Sequence, residues 1–330
     1  MVTPNAHAVR TRVYRAGELV KEDFPVEALS DYLAEPDTVL WVDLCAPDRE
    51  DLSVVADELG LHALAIADAV STRQRPKIDR YDTHEFLNMY AGKLDSVTGE
   101  LHLSELSAFV TSRVLVTVRK DESFDMTEVV TRWDQSADLA IHGVGFLLYG
   151  LLDHVVDGHF DIVQTLDEQI DDLEDLLFDD GPHDKDVQRR SFKLRKSLVT
   201  LRRVVLPMRE VVNTLMRRDV ELISADMTPY FQDVYDHVLR ATEWTESLRD
   251  LVSTIVETNL TLQGNRLNVI TKKVTSWAAI IAVPTAITGW YGQNLPYPGF
   301  ANQFGLFMSA GLILVISIGL YFAFRRNDWL

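Results

Sequence analysis

The sequence predicts an α+β membrane protein: an N-terminal α/β cytoplasmic domain, a long stalk helix continuing into a first transmembrane helix, and a second transmembrane helix close behind it. Three observations carry this prediction. Residues 274–290 and 304–324 contain no charged side chain, and a membrane core takes about 20 apolar residues to cross. Between Pro229 and Pro284 no proline or helix-stopping cluster occurs. Residues 12–120, in contrast, mix strand-like with helix-like runs.

Taken in order, Val39-Leu40-Trp41-Val42-Asp43-Leu44 followed by Ala46-Pro47-Asp48 reads as a buried strand ending in a turn, with Asp48 capping a helix over 50–59. Residues 86–91, 106–111 and 113–118 supply further strands, the last two joined through Ser112-Arg113. No phosphate-binding glycine loop, zinc-protease pair or nucleophile elbow is present. An enzyme is therefore not expected.

From Phe146 to Leu177 apolar residues recur at spacings of three and four, and Asp179-Asp180-Gly181-Pro182 stops the helix. Its polar face carries Asp167, Glu168, Asp171, Asp172, Glu174 and Asp175. The following helix, 188–209, is basic through Arg189, Arg190, Lys193, Arg195, Lys196, Arg202, Arg203 and Arg209. A hairpin follows, its opposite charges read either as solvated faces pairing with each other or as a device that attracts or screens cations. Thr228 is placed as N-cap with Pro229 at the first helical position. The helix from there to Tyr291 has about 60 residues and a length on the order of 90 Å. Its stripe of Val234, Val238, Leu248, Leu251, Val252, Ile255, Leu260 and Leu267 needs partners, most simply identical copies around an axis. The expected segments are a cytoplasmic α/β domain (1–145), a helical hairpin (146–227), a stalk (228–273) and a pore domain (274–330). The last divides into membrane helices at 274–291 and 304–324, an outer loop at 292–303 and a tail at 325–330.

Lys272 and Lys273 precede the first span and Arg325 and Arg326 follow the second, so both termini are expected in the cytoplasm. The outer loop has no acid, His or Cys with which to bind a bare metal. A formal net charge of -18 argues against nucleic acid as a partner and is compatible with cations. The single Cys45 excludes an intrachain disulfide and any CxxC site. The first residues lack an apolar core of signal-peptide type, so no cleavable signal is expected.

The stretches HALAIADAVSTRQRPK (62–77), PYFQDVYDH (229–237), residues 265–272, Tyr291-Gly292-Gln293-Asn294 and the ending Arg325-Arg326-Asn327-Asp328-Trp329-Leu330 carry a resemblance. Over essentially its whole length the chain resembles the CorA-type divalent cation channels. The resemblance implies a funnel-shaped homopentamer in the cytoplasmic membrane, surrounded by lipid, taking up Mg2+ and also Co2+ or Ni2+, with no organic cofactor. It implies a selectivity filter at Gly292, Gln293 and Asn294, where the family has Gly-Met-Asn and where Asn294 would form a ring for a hydrated ion. Five amides suit Mg2+, which gives up its waters reluctantly. The same resemblance places Asn268, Thr271, Val274, Ala278, Ala282, Thr285 and Gly289 along the pore. It also implies regulatory Mg2+ between subunits at Asp68 and Asp233; the nearby Asp236 is read either as an extra ligand or as a solvated acid.

Several positions depart from the family pattern. Ala67 stands where the family often has an acid, Gln293 replaces Met, no Glu follows the loop motif, and Val274 and Ala282 occupy a constriction often built from Leu and Met. Two other readings stay open: a zinc carrier of the same superfamily, and a non-conducting oligomeric divalent sensor or scaffold.

Overall fold

The computed structural model describes residues 9–95, 99–179, 181, 183–217, 222–293 and 302–330. Two compact units make up the chain, residues 1–254 and 255–330.

The first unit opens with β1 (Val9–Arg15), β2 (Glu18–Glu22), α1 (Leu29–Leu33) and β3 (Thr38–Cys45). Then come α2 (Arg49–Leu59), α3 (Ala63–Val70), β4 (Lys77–Arg80), β5 (Glu85–Leu94), β6 (Leu101–Val110), β7 (Val114–Arg119) and α4 (Met126–Gln135). The strands form one sheet in the order β2-β1-β3-β7-β6-β5-β4. Only β3 and β7 pair in parallel; every other neighbouring pair is antiparallel. The run 39–44 is apolar almost throughout because both sheet faces are covered, as such central strands require. Leu40, Val42 and Leu44 meet Leu52 and Val55 of α2 and Ala65 and Ala69 of α3. Trp41, on the opposite face, packs edge-on against Trp133 of α4 at 5.1 Å.

Beside Trp41, Asp43 is fully buried and grips Arg119: Nη2 donates to Oδ2 at 2.6 Å and Nε to the same oxygen at 3.1 Å. Thr117 donates its hydroxyl to Asp43 Oδ1 at 2.7 Å. α2 begins as expected, with Asp48 accepting from the Glu50 and Asp51 amides in a capping box. β1, β2 and β4 were not anticipated. β2 is exposed along its length and β4 has four residues, so neither shows a buried periodicity.

α5 (Val144–Phe178) and α6 (Asp184–Leu215) form the expected hairpin. Their opposite charges do not pair. Among the described residues none of Asp167, Glu168, Asp171, Asp172, Glu174 and Asp175 forms an ion pair. The reason lies in packing: Leu166, Ile170 and Leu173 of α5 and Leu194, Leu198 and Leu201 of α6 are buried, which turns the charged faces out to solvent.

His159 of α5 is fully buried, with Nε2 donating to the Tyr90 carbonyl at 2.7 Å and Nδ1 lacking a partner among the described residues. Burial pushes its pKa down to about 4. The folded state therefore binds this proton less well than the unfolded one, and the stability it contributes is present above pH 6.5 and lost as pH falls toward 4. The loss expected by pH 4 is about 3 kcal/mol. Denaturant titrations at pH 7 and pH 4.5 should show it in the wild type, and it should be absent in His159→Gln.

α7 (Thr228–Tyr291) is a single helix of 64 residues. Thr228 is not its N-cap. A 3-10 turn over Ala225–Met227 leads directly in, so Thr228 is already helical and its hydroxyl bonds back to the Ser224 carbonyl at 3.4 Å. Pro284 lies inside the helix. It brings no N–H, so the Ile280 carbonyl lacks its usual partner. The second unit holds the end of α7 and α8 (Gln303–Arg326). Among the described residues α8 alone is a helix both long and apolar enough to cross a membrane, and its apolar window is not buried at all within the chain.

Candidate functional site

The site residues lie in two places, one in each unit. In the first unit, Asp68 sits on the last turns of α3, whose N-terminus is capped by His62 Nδ1 accepting from the Leu64 amide at 3.2 Å. After α3 the chain reverses through Arg73, at φ 66. Glu105 of β6 pins this reversal by accepting from the Arg73 and Gln74 amides at 2.8 and 3.2 Å. The chain then enters β4 with Lys77.

Lys77 Nζ lies 2.6 Å from Asp68 Oδ2 and 2.5 Å from Asp79 Oδ2. Burial opposes its charge, but the hydrogen bonds to the two carboxylates raise its pKa above the ordinary lysine value. Gln74 Nε2 donates to Asp68 Oδ1 at 3.4 Å, so both Asp68 oxygens are engaged. Sequence reading missed Lys77 and Asp79. The signal was there in Lys77-Ile78-Asp79, since alternate residues of a strand share a face.

Asp233 lies on α7 with its side chain 62% exposed and His237 Nε2 at 3.9 Å. Asp236 accepts from Gln232 at 3.1 Å and is exposed. Around His237 is a network that sequence reading did not find. His237 Nδ1 is 3.6 Å from Asp157, and Arg132 is 2.6 Å from Asp153 and 2.8 Å from Asp157. A cavity of about 350 Å³ lies beside them, lined also by Phe160, Asp161 and Arg240. Burial and the neighbouring Asp157 raise the Asp153 pKa. Asp68 and Asp233 thus take separate partners within one chain. Among the described residues no three His, Cys, Asp or Glu side chains group closely enough to hold a metal. A lone carboxylate still suits Mg2+, which keeps several waters and takes one or two carboxylates.

In the second unit, Asn268, Thr271, Val274, Ala278, Ala282, Thr285 and Gly289 are all exposed. At about 100° per residue they occupy about a third of the helix circumference. Ser276 is fully buried, and Ala279, Ile280, Val283, Pro284 and Ile287 are half-buried. These covered residues centre roughly half a turn round from the exposed stripe. Thr285 donates its hydroxyl to the Ile281 carbonyl at 3.2 Å. The helix closes with the Gly292 amide donating to Thr288 at 2.9 Å and the Gln293 amide to Trp290 at 3.4 Å. Asn294, the third residue expected in the filter, lies outside the described residues. Beyond α8, Trp329 folds back so that its ring stacks on Phe324 at 5.7 Å.

Comparison with known proteins places this arrangement. The family model described as "CorA-like Mg2+ transporter protein" matches residues 36–326. A putative metal ion transporter of Bacillus subtilis, YfjQ, is 29% identical over 323 residues, 97% of each chain. The cobalt/magnesium transport protein CorA of Thermotoga maritima is 28% identical over 89% of this chain and 84% of its own. Similarity falls to 22%, over 78% of this chain and 77% of the relative, for the zinc transport protein ZntB of Yersinia pestis. Among solved structures, the complete CorA magnesium transporter of Methanocaldococcus jannaschii superposes with a TM-score of 0.77 over 100% of both chains, at 21% identity.

Proposed function

Because this chain belongs to the CorA-like Mg2+ transporter family, we propose that it carries Mg2+, with Co2+ as a second cargo, through a pore made by five copies in the cytoplasmic membrane. The N-terminal unit and both termini lie on the cytoplasmic side in this reading, and the direction is inward. One observation carries the pore assignment: the stripe from Asn268 to Gly289 is uncharged, small or weakly polar, and from Ala278 onward it lies opposite the covered face of its own helix. Helices presenting such a stripe to a common axis would line a narrow conduit. At its outer end Gly292, Gln293 and Asn294 form the filter, and Asn294 holds the hydrated ion. Flux of Mg2+ into proteoliposomes, compared with Zn2+ with and without a pH gradient, tests this; no flux of either ion would leave a sensor or scaffold. The mass of the detergent-solubilised complex tests the five copies. A zinc carrier is the weaker reading, because residues 268–330 contain neither His nor Cys to hold that ion.

The cytoplasmic carboxylates supply feedback. Asp68 of one copy and Asp233 of the next hold Mg2+ between subunits, with Asp236 as an additional ligand, and the filled site favours the closed pore. Hard oxygen donors and the exposure of Asp233 support this reading. In the double variant Asp68→Asn with Asp233→Asn, cytoplasmic Mg2+ is expected to lose its inhibition of flux. Unchanged inhibition would overturn the sensor assignment.

A further inference from the structure

We infer that Lys77 is a tethered counter-ion that competes with divalent cations for Asp68, with Asp79 as the place to which its ammonium withdraws. The inference rests on the proposed sensor and names what sets its threshold.

The geometry is specific. Lys77 Nζ sits between two carboxylate oxygens, 2.6 Å from Asp68 and 2.5 Å from Asp79. The backbone of Lys77 is held in β4 by pairing with Asn88 of β5, and its ammonium lies 5.7 Å from the centre of the Phe86 ring. The ammonium is thus confined to this spot rather than sampled from solvent. A divalent ion approaching Asp68 meets an oxygen already hydrogen-bonded to a cation, and it must displace that cation. Asp233 presents no such obstacle, since its side chain is 62% exposed and the His237 ring stands 3.9 Å away.

Displacement is cheap because Lys77 does not lose both partners. When the ion takes Asp68, the ammonium keeps Asp79, which is 39% exposed on the same face of β4. Asp79 therefore acts in favour of metal binding at Asp68 without touching the metal. Half-exposed ion pairs of this kind change an equilibrium by about fivefold. The same pairing keeps a cation on Asp68 when the divalent ion is absent, leaving the Asp68, Lys77 and Asp79 group with one net negative charge rather than two.

The two carboxylate partners give the inference opposite signs in one experiment. The full-length protein in detergent is titrated with MgCl2 by isothermal calorimetry, and the half-saturating concentration is read. Lys77→Met is expected to lower that concentration about fivefold, because nothing then competes for Asp68. Asp79→Asn is expected to raise it, because the ammonium is then committed to Asp68. Lys77→Gln, which keeps a hydrogen-bond donor without the charge, should behave as Lys77→Met and replaces it where that variant fails to fold. An unchanged or raised concentration in both Lys77 variants overturns the inference, provided Asp68→Asn abolishes the Mg2+ response; the sensor then stands without the competitor. A Mg2+ response unaltered by Asp68→Asn overturns the sensor itself and this inference with it.

Discussion

Arg119→Met is expected to destabilise the N-terminal unit by about 3–5 kcal/mol. Arg119 donates to Asp43 through Nε, at 3.2 and 3.1 Å to its two oxygens, and through Nη2 at 2.6 Å, and Asp43 is fully buried. The same guanidinium donates through Nη1 to the Phe124 carbonyl at 3.0 Å, which ties β7 to the start of α4. A methionine fills the space but leaves a carboxylate in the core with Thr117 as its one remaining side-chain donor among the described residues. A lone buried charge costs far more than the pair contributes, which is why breaking such a pair is severe while replacing both members need not be. Thermal unfolding followed by circular dichroism should show a midpoint lowered by about 10 °C. The double variant Arg119→Met with Asp43→Leu should recover much of the loss, an outcome that separates a stranded charge from lost packing.

Asn294→Ala is expected to reduce Mg2+ uptake on the order of a hundredfold, while oligomer mass and melting behaviour stay as in the wild type. In the proposed pore five amides contact the water shell of one ion. Each lost hydrogen bond is worth about 1 kcal/mol, and even a fraction of five such losses reaches that factor. Radiometric or dye-based flux in proteoliposomes measures it. Gln293→Met, which restores the family's side chain, should retain conduction, and any change in the preference between Mg2+ and Co2+ then belongs to that amide.

Much of this protein was legible in its sequence, and the parts that were not share a physical cause. The strand 39–44, the Asp48 cap, the hairpin stop at residues 179–182 and the long helix ending at Tyr291 each rest on local chemistry: an apolar run, a capping carboxylate, a breaker or an unbroken period. β2 and β4 escaped because an edge strand owes its existence to a neighbour rather than to its own pattern. Thr228 was misplaced because a 3-10 turn before a helix leaves no distinct mark in residue type. The charged faces of α5 and α6 looked mutually complementary in one dimension, but the apolar stripe decided which way they turned. The candidate carboxylates Asp68 and Asp233 came from the resemblance alone. Their intrachain partners, Lys77 for Asp68 and His237 for Asp233, emerged only from the fold.

Pro284 gives α7 an uneven stiffness. From Thr228 to the residue before it, 56 residues carry no proline ring after Pro229, and such a rod resists bending because every turn is laced to the next. At Pro284 one lace is missing, two turns before the helix ends at Tyr291. The last two turns, those bearing Thr285 and Gly289, therefore have more freedom to bend than the turns before them.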